Sequence, residues 1–533
     1  MKGVIEMKVL IITGLQAEKL IIKNLENYDK HEIYLKVMPM PIAAFITPQL
    51  IIYHLKENKT LHSINTTKTT LLENIDIILT PGLIRQNTSI ITQELNISSF
   101  KGPSNAADIK ITLDILDEID LSQSTPADVL IRDKQYQEAM KIINDYEKSE
   151  NIEALLKNKA NFKIHNCPVG VDFPMRVLGE IANAPQLSDD QLLSKVNYYI
   201  ESGADMIDVG MHANENNPEK AYHMIKLIRD NYDVGLSIDT MNTTEIKEGL
   251  RAGADLILSL DHGNYENIIH EIRDYDAAAV IIPTNYKKKY IPHTAKEKVE
   301  SLEKLTQKCE MITTIADPLL DPINSPSLTE AICACRLFRQ RNPHQALFFG
   351  VGNVSELLDA DSNGVNAVLS GIAMEVNANI LFTPESSLKT KNSINELKTA
   401  SNMMFLSKIK NSIPKNLGIT LVKYKDQFRK DDVKIDTTDI PHISAVADGK
   451  FIPDYKGSFK IVVEDNLIKA ILYTDFKLNC VIEGTTARAI YEEILRRDLI
   501  SRMEHSAYLG MELEKAEIAL KLDKKYIQDF PIF

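Results

Sequence analysis

Apolar residues along this chain fall into short runs that stop at glycine, proline or aspartate, and between the runs the spacing changes to a helical period. KVLIITG (8–14), HEIYLKVMPMP (31–41) and IDIILTPG (75–82) read as strands, the first followed by a helical pattern, LQAEKLIIKNLENY. From residue 161 the alternation becomes regular. KIHNCPVGV, DMIDVGM, VGLSID, DLILSLD, AAVIIP, ITTIAD, ALFFGVG and NILFT are strand candidates, separated by helical patterns such as LSDDQLLSKVNYYIESG and TTEIKEGLRAG. Several of these runs are apolar without alternation, as in parallel strands buried on both faces. Eight such strands in about 250 residues is the count and size of a (β/α)8 barrel. After residue 410 the pattern changes again: ISAVADGKF, FKIVVED, LIKAILYTD and NCVIEG read as short strands, and Thr485 to Lys525 as two helices.

The organisation expected is therefore α/β. An open N-terminal α/β domain over 1–160 precedes a central TIM barrel over 161–410 and a C-terminal α+β domain over 411–533. The 533 residues exceed what one core accommodates. Met7, where the first strand begins, is a candidate true start. Gly14 and Gly82 end strands where an open sheet places a ligand crevice, but neither lies in a phosphate-binding motif, and turn glycines are the simpler reading.

Composition narrows the function classes. A net charge of −13 disfavours nucleic-acid binding, and Lys287-Lys288-Lys289 is too short a basic run to reverse that. Five scattered cysteines suit a reducing cytoplasm, and Cys333 and Cys335 lack neighbouring ligands and read as packing residues. No apolar run is long enough for a membrane span. A cytoplasmic location is expected.

Chemistry in such barrels sits at the carboxyl ends of the strands. Read from the pattern, Asp172 follows strand one, Asp208 ends strand two and Asp239 ends strand three. Asp261 and His262 follow strand four, Thr284 and Asn285 strand five. Asp317 ends strand six, Asn353 follows strand seven, and Thr383, Glu385 and Ser386 follow strand eight. So many carboxylates on one rim call for a cationic or N–H-donating partner. Either they bind a divalent metal, or they accept hydrogen bonds from an amidine-like edge such as that of a 2-amino-4-oxo-pterin. Capping of the following helices is the simpler role for any one of them.

GADMIDVGMHANENNPEKA (203–221), LSIDTMNTTEIKEGLRAGADLILSLDHGN (236–264) and IADPLLDPINSP (315–326) resemble the pterin-binding barrel family of dihydropteroate synthase and the methyltetrahydropterin methyltransferases. The resemblance implies that Asp239 and Asp317 hold a pterin ring, with Asp208 and Asp261 assisting. The family's strand-four asparagine is missing, with Leu258 and Ser259 at its place. The cations that dihydropteroate synthases carry after strands seven and eight are missing too. Gly-Asn-Val-Ser (352–355) and Phe-Thr-Pro-Glu (382–385) stand there. A departing diphosphate needs cations; Arg176, Lys389 and Lys391 are the substitutes within reach. Asn-Val-Ser after strand seven resembles the methyltransferase branch, in which an asparagine bonds N5 of the pterin. That resemblance assigns Asn353 a catalytic role; helix capping is the alternative. Asp172, Arg176, Ser259, His262, Asn285 and Glu385 complete the candidates, and no metal ligand set is assigned.

The whole chain resembles archaeal dihydropteroate-synthase-like proteins, through LFTPESSLKTKNSINELKTA (381–400) and the flanking domains. The tail EHSAYLGMELEKAEIALKLDKKYIQDF (504–530), with His505 as its one candidate ligand or base, resembles a module of archaeal one-carbon proteins. The implied ligand is a reduced pterin of the tetrahydromethanopterin or tetrahydrofolate type, used in methyl transfer to an acceptor protein, a thiol or a partner's corrinoid. Dihydropteroate-synthase-type condensation, which alone would require Mg²⁺, and non-catalytic pterin binding are the alternatives. Barrels of this size commonly dimerise, which leaves a homodimer open.

Overall fold

The computed structural model describes residues 7–213, 215–425, 438, 441–446, 452–522 and 524–533. Residues up to 437 form one compact unit and residues 438–533 a second.

The chain opens with strands β1 (Lys8–Gly14) and β2 (Glu32–Met38), a small hairpin of β3 (Thr60–His62) and β4 (Thr69–Leu71), then β5 (Ile77–Thr80) and β6 (Ser98–Lys101). The sheet order is β2-β1-β5-β6, all parallel. β1 is buried along nearly its whole length, which explains why KVLIITG carries no polar alternation. The helix Ala127–Tyr146 leads toward the second region, where Tyr146 packs edge-on against Phe405 with ring centroids 5.2 Å apart.

Next comes an antiparallel hairpin, β7 (Asn161–Ile164) and β8 (Cys167–Gly170). A closed barrel follows, of β9 (Arg176–Ile181), β10 (Met206–Gly210), β11 (Gly235–Asp239), β12 (Leu256–Leu260), β13 (Ala278–Ile281), β14 (Thr313–Ala316), β15 (Ala346–Gly350) and β16 (Ile380–Pro384). Every adjacent pair is parallel, and β16 closes onto β9. Alternation separates two cores. Ile207, Val209, Leu236 and Ile238 face the surrounding helices. Leu178, Met206, Leu256, Val280, Ile315 and Phe348 fill the barrel's interior.

This corrects the expected first strand. KIHNCPVGV is the hairpin, and the barrel begins with RVLGEI. Ile164 and Val169 of the hairpin join the interior core beside Met206 and Leu256, so the hairpin plugs the amino-terminal end of the barrel. Two expected site residues move with it. Asp172 accepts from the side chains of Asn158 and Asn161, both at 2.7 Å, beside the hairpin. Arg176 begins β9, at the end away from the strand carboxyl termini. It is 3% exposed and donates to Pro168 O at 2.6 Å and Glu147 Oε1 at 2.5 Å, with Asp205 at 3.5 Å. Neither belongs to the rim. The physical cause is that an apolar run of a few residues fits a hairpin arm as well as a barrel strand, whereas Arg176, Gly179 and Glu180 dilute the true strand.

The second unit holds an antiparallel sheet of β17 (Ser458–Glu464), β18 (Leu467–Thr474) and β19 (Lys477–Gly484), with helices Ala487–Arg496 and Met503–Lys521 packed on it. Of the strand expected in ISAVADGKF, residues 443–446 are not strand and the remainder lies outside the described residues. His505 Nδ1 lies 3.3 Å from Asp454 Oδ2. Asp454 also accepts from the amides of Lys456, Ser501 and Arg502, so His505 belongs to a loop anchor. Among the described residues no helix is long and apolar enough to cross a membrane.

Breaking a buried ion pair strands the remaining charge and costs about 3–5 kcal/mol. Arg176→Leu is therefore expected to lower the unfolding midpoint markedly while leaving ligand affinity at the opposite barrel end unchanged. Differential scanning calorimetry beside a binding titration checks both halves.

Candidate pterin site at the barrel mouth

Above the apolar interior the inward positions become acidic. Glu180 on β9, Asp208 on β10 and Asp239 on β11 follow inward Leu178, Met206 and Ser237 along their strands, and Asp317 follows inward Ile315 just past β14. Asp208 is level with Glu180 in register and with Ser237 on the other side, while Asp239 is level with Gly210, one step nearer the rim. Glu180, Asp208 and Asp239 each bring one carboxylate oxygen within 4.8 Å of the others. Glu180 is the member of this group that sequence reading misses, because its strand lies outside the expected run.

Burial decides the protonation of this group. Asp208 is wholly buried, bonded by the Ser237 hydroxyl at one oxygen, with no partner at Oδ2. Its pKa is driven well above the ordinary range by burial first, then by the charges of Asp239 and Glu180. Burial also lifts Asp239 to about 7. Glu180 rises to about 7 through burial and the charges of Asp239 and Glu356. Asp317 accepts from Leu319 N at 2.8 Å, which favours its ionised form, yet burial prevails and lifts it to about 7. Such a cluster holds protons near neutrality, can release them to a ligand atom, and offers oxygen ligands to N–H donors or a divalent cation.

The other rim candidates are engaged elsewhere. Asp261 is wholly buried and accepts from Gly263 N at 2.6 Å, Tyr286 N at 2.6 Å and Thr284 Oγ1 at 3.1 Å. It pins two loops together and is not open to a ligand. The pairing of β12 with β13 shifts register between Ile257 and Leu260, an irregularity that simple alternation does not anticipate. His262 Nε2 lies 3.1 Å from Ser301 Oγ, and Asn285 accepts from Lys288 N at 3.1 Å within its own turn. Glu385 accepts from Tyr198 OH at 2.9 Å and Ile394 N at 3.0 Å, tying β16 to its neighbouring helices. All three are tied to protein partners. Ser259 stays half-buried on β12, its carbonyl taken by Asn264 Nδ2 at 3.1 Å.

Asn353 is exposed, in the short helix Gly352–Ser355. That helix starts from Val351, so Asn353 is not its cap. Its Nδ2 donates to Leu320 O at 3.1 Å, bridging the loops after β15 and β14. A primary amide carries two N–H bonds, so this leaves one donor.

A family model described as "Pterin binding enzyme" matches residues 182–317, and a second, PterinBD-DUF4346, matches 453–529. The uncharacterized protein MJ0107 of Methanocaldococcus jannaschii is 44% identical over 539 residues, spanning 99% of each chain. A dihydropteroate synthase of Streptococcus pyogenes is 28% identical over 142 residues, 25% of this chain and 49% of that one. Among solved structures, a Yersinia pestis DHPS with a pterine-sulfa conjugate matches at 16% identity and a TM-score of 0.39, over 47% of this chain and 99% of that one.

The raised carboxyls set a pH dependence of stability. Folding favours protonated Asp317, and this stabilisation is complete below about 4 and lost as pH rises through about 7. Asn cannot ionise, so Asp317→Asn should be more stable than the parent at pH 8 by about 4 kcal/mol, with the gap closing toward pH 4. Thermal unfolding across that range checks it; a pH-independent gap would contradict the assignment.

Proposed function

The chain belongs to the dihydropteroate-synthase-like, pterin-binding family that includes MJ0107 of Methanocaldococcus jannaschii, and from that membership we propose that its barrel mouth binds a reduced pterin and acts on a one-carbon group at N5. The observation that carries this reading is the sunken group Glu180, Asp208, Asp239 and Asp317, whose burial first, and the charges of their neighbours second, raise their affinity for protons. A 2-amino-4-oxo-pterin presents several N–H bonds along one edge. Ionised Asp239 and Asp317 accept them, and the ligand's donors relieve the repulsion between the carboxylates.

The same cluster supplies the chemistry. When a methyl group leaves N5 for a nucleophile, the C–N bond breaks with its electron pair remaining on N5, and that nitrogen needs a proton. A neutral carboxyl among Glu180 and Asp208 is the donor, and the free N–H of Asn353 stabilises the charge building on N5. The acceptor is a nucleophile of the thiol or reduced corrinoid class, the corrinoid carried by a partner protein.

One observation favours a second reading. Glu180, Asp208 and Asp239 are spaced to hold a divalent cation, which could offset a diphosphate as the cations of a synthase do. Calorimetry with tetrahydromethanopterin, its N5-methyl form, and a dihydropterin diphosphate plus Mg²⁺ separates the two. Methyl transfer predicts tight binding of the tetrahydro forms, weakened about tenfold in Asn353→Ala and lost in Asp239→Asn. Binding of the diphosphate alone, with Mg²⁺ dependence, would select the synthase reaction.

Because Asp239 and Asp317 must ionise to accept N–H bonds, pterin affinity should fall as pH drops below about 7. The slope expected is about tenfold per unit for each proton displaced. Titrations at pH 8, 7 and 6 read it directly, and an affinity that rises on acidification would refute the bonding scheme.

A further inference from the structure

The N-terminal sheet contains a second crevice that the barrel reading does not use. From β1 the chain passes to β2 on one side and later returns to β5 on the other. The connections leaving β1 and β5 therefore diverge, and parallel sheets place ligands at such a switch point, outside the strand carboxyl ends. A cavity of about 410 Å³ lies there, walled by Ile12 and Thr13 of β1, Leu79 and Thr80 of β5, and Ile21 and Ile109 from flanking helices. That volume is within the range of small-molecule sites. The turns that leave its strands pack closely against neighbouring backbone. A Cβ on Gly14 would meet Met40 O at 2.8 Å, and one on Gly82 would meet Gly102 O at 2.6 Å.

The lining defines the ligand's chemistry. None of the lining side chains is ionisable. The hydroxyls of Thr13 and Thr80, both 2% exposed, make long bonds of 3.4 and 3.3 Å to carbonyls, and Asn105 accepts from Ala107 N through its oxygen. These supply one polar edge to an otherwise aliphatic wall. At the mouth, Leu83 is 51% exposed. On the adjoining loops after β1 and β2, Leu15, Ile42 and Phe45 are also more than 40% exposed. A cluster of exposed apolar side chains around a cavity marks a binding surface. Phosphate is disfavoured, since no cation lines the site and Glu18 occupies the first turn of the helix after β1.

We propose that this crevice is a second ligand site, which takes an uncharged, planar heteroaromatic ring with one hydrogen-bonding edge. The ring lies between the aliphatic walls, and its polar edge meets Thr13, Thr80 and Asn105.

The test uses the full chain with adenine, benzimidazole and lumichrome as neutral probes and inorganic phosphate as the anionic one, read by saturation-transfer NMR and calorimetry. Ala106→Phe fills the cavity from its wall, and Leu83→Ser alters only the exposed mouth. At least one ring is expected to bind with a dissociation constant below about 1 mM, weakened about tenfold in both variants. The proposal fails if no ring binds, if ring binding is unchanged in both variants, or if phosphate binds more tightly than the rings.

Discussion

Desolvation of like charges is the constraint on which this barrel turns. A carboxylate moved from water into a protein interior loses hydration, and a neighbouring carboxylate adds repulsion. Most barrels fill the interior with branched aliphatic side chains, and this one does so up to the level of Leu178, Met206 and Ile315. Above that level four acidic groups take over. The fold tolerates them because they keep protons, and the tolerance is a form of readiness: a ligand that brings hydrogen-bond donors replaces the proton by a better partner.

That readiness requires a rigid frame. The hairpin β7–β8 closes the far end of the barrel, and Arg176 ties the hairpin, Glu147 and Asp205 at the start of β9. Its fixed fork of donors satisfies several acceptors at once, which a lysine could not do in the same space. β9 then carries Glu180 into register with Asp208. Asp261 performs a comparable service at the rim, spending its carboxylate on the amides of Gly263 and Tyr286. The acidic residues of this mouth thus divide into Asp261, spent on loop amides, and Glu180, Asp208 and Asp239, whose carboxylates face one another, and their surroundings distinguish them where residue type cannot.

Legibility in the sequence follows the same line. Asp239 and Asp317 were readable because each is the lone acid at the end of a strand run, inside a segment that carries the family resemblance. Glu180 was hidden because its strand contains an arginine and a glycine, while the neighbouring hairpin, which ends in Cys-Pro-Val-Gly, imitates a strand just before it. The role of Asp261 depended on partners from another loop, 23 and 25 residues away. Asn353 was placed correctly on the rim, but its bond to Leu320 O, rather than a helix cap, emerges only from tertiary contact. Residue type and period locate a strand end; which way its side chain is used is decided by what the fold brings against it.

The two crevices of the first unit obey one backbone rule with opposite electrostatics. Both lie outside the carboxyl ends of parallel strands, where diverging connections leave space. In the barrel that space is lined by acids lifted to about 7, so its occupant must bring donors or positive charge. In the N-terminal sheet the lining carries no charge, so a charged occupant would lose its hydration without compensation. The two sites therefore differ in what they ask of an occupant: the barrel mouth favours a run of N–H donors along one edge, and the sheet crevice disfavours net charge.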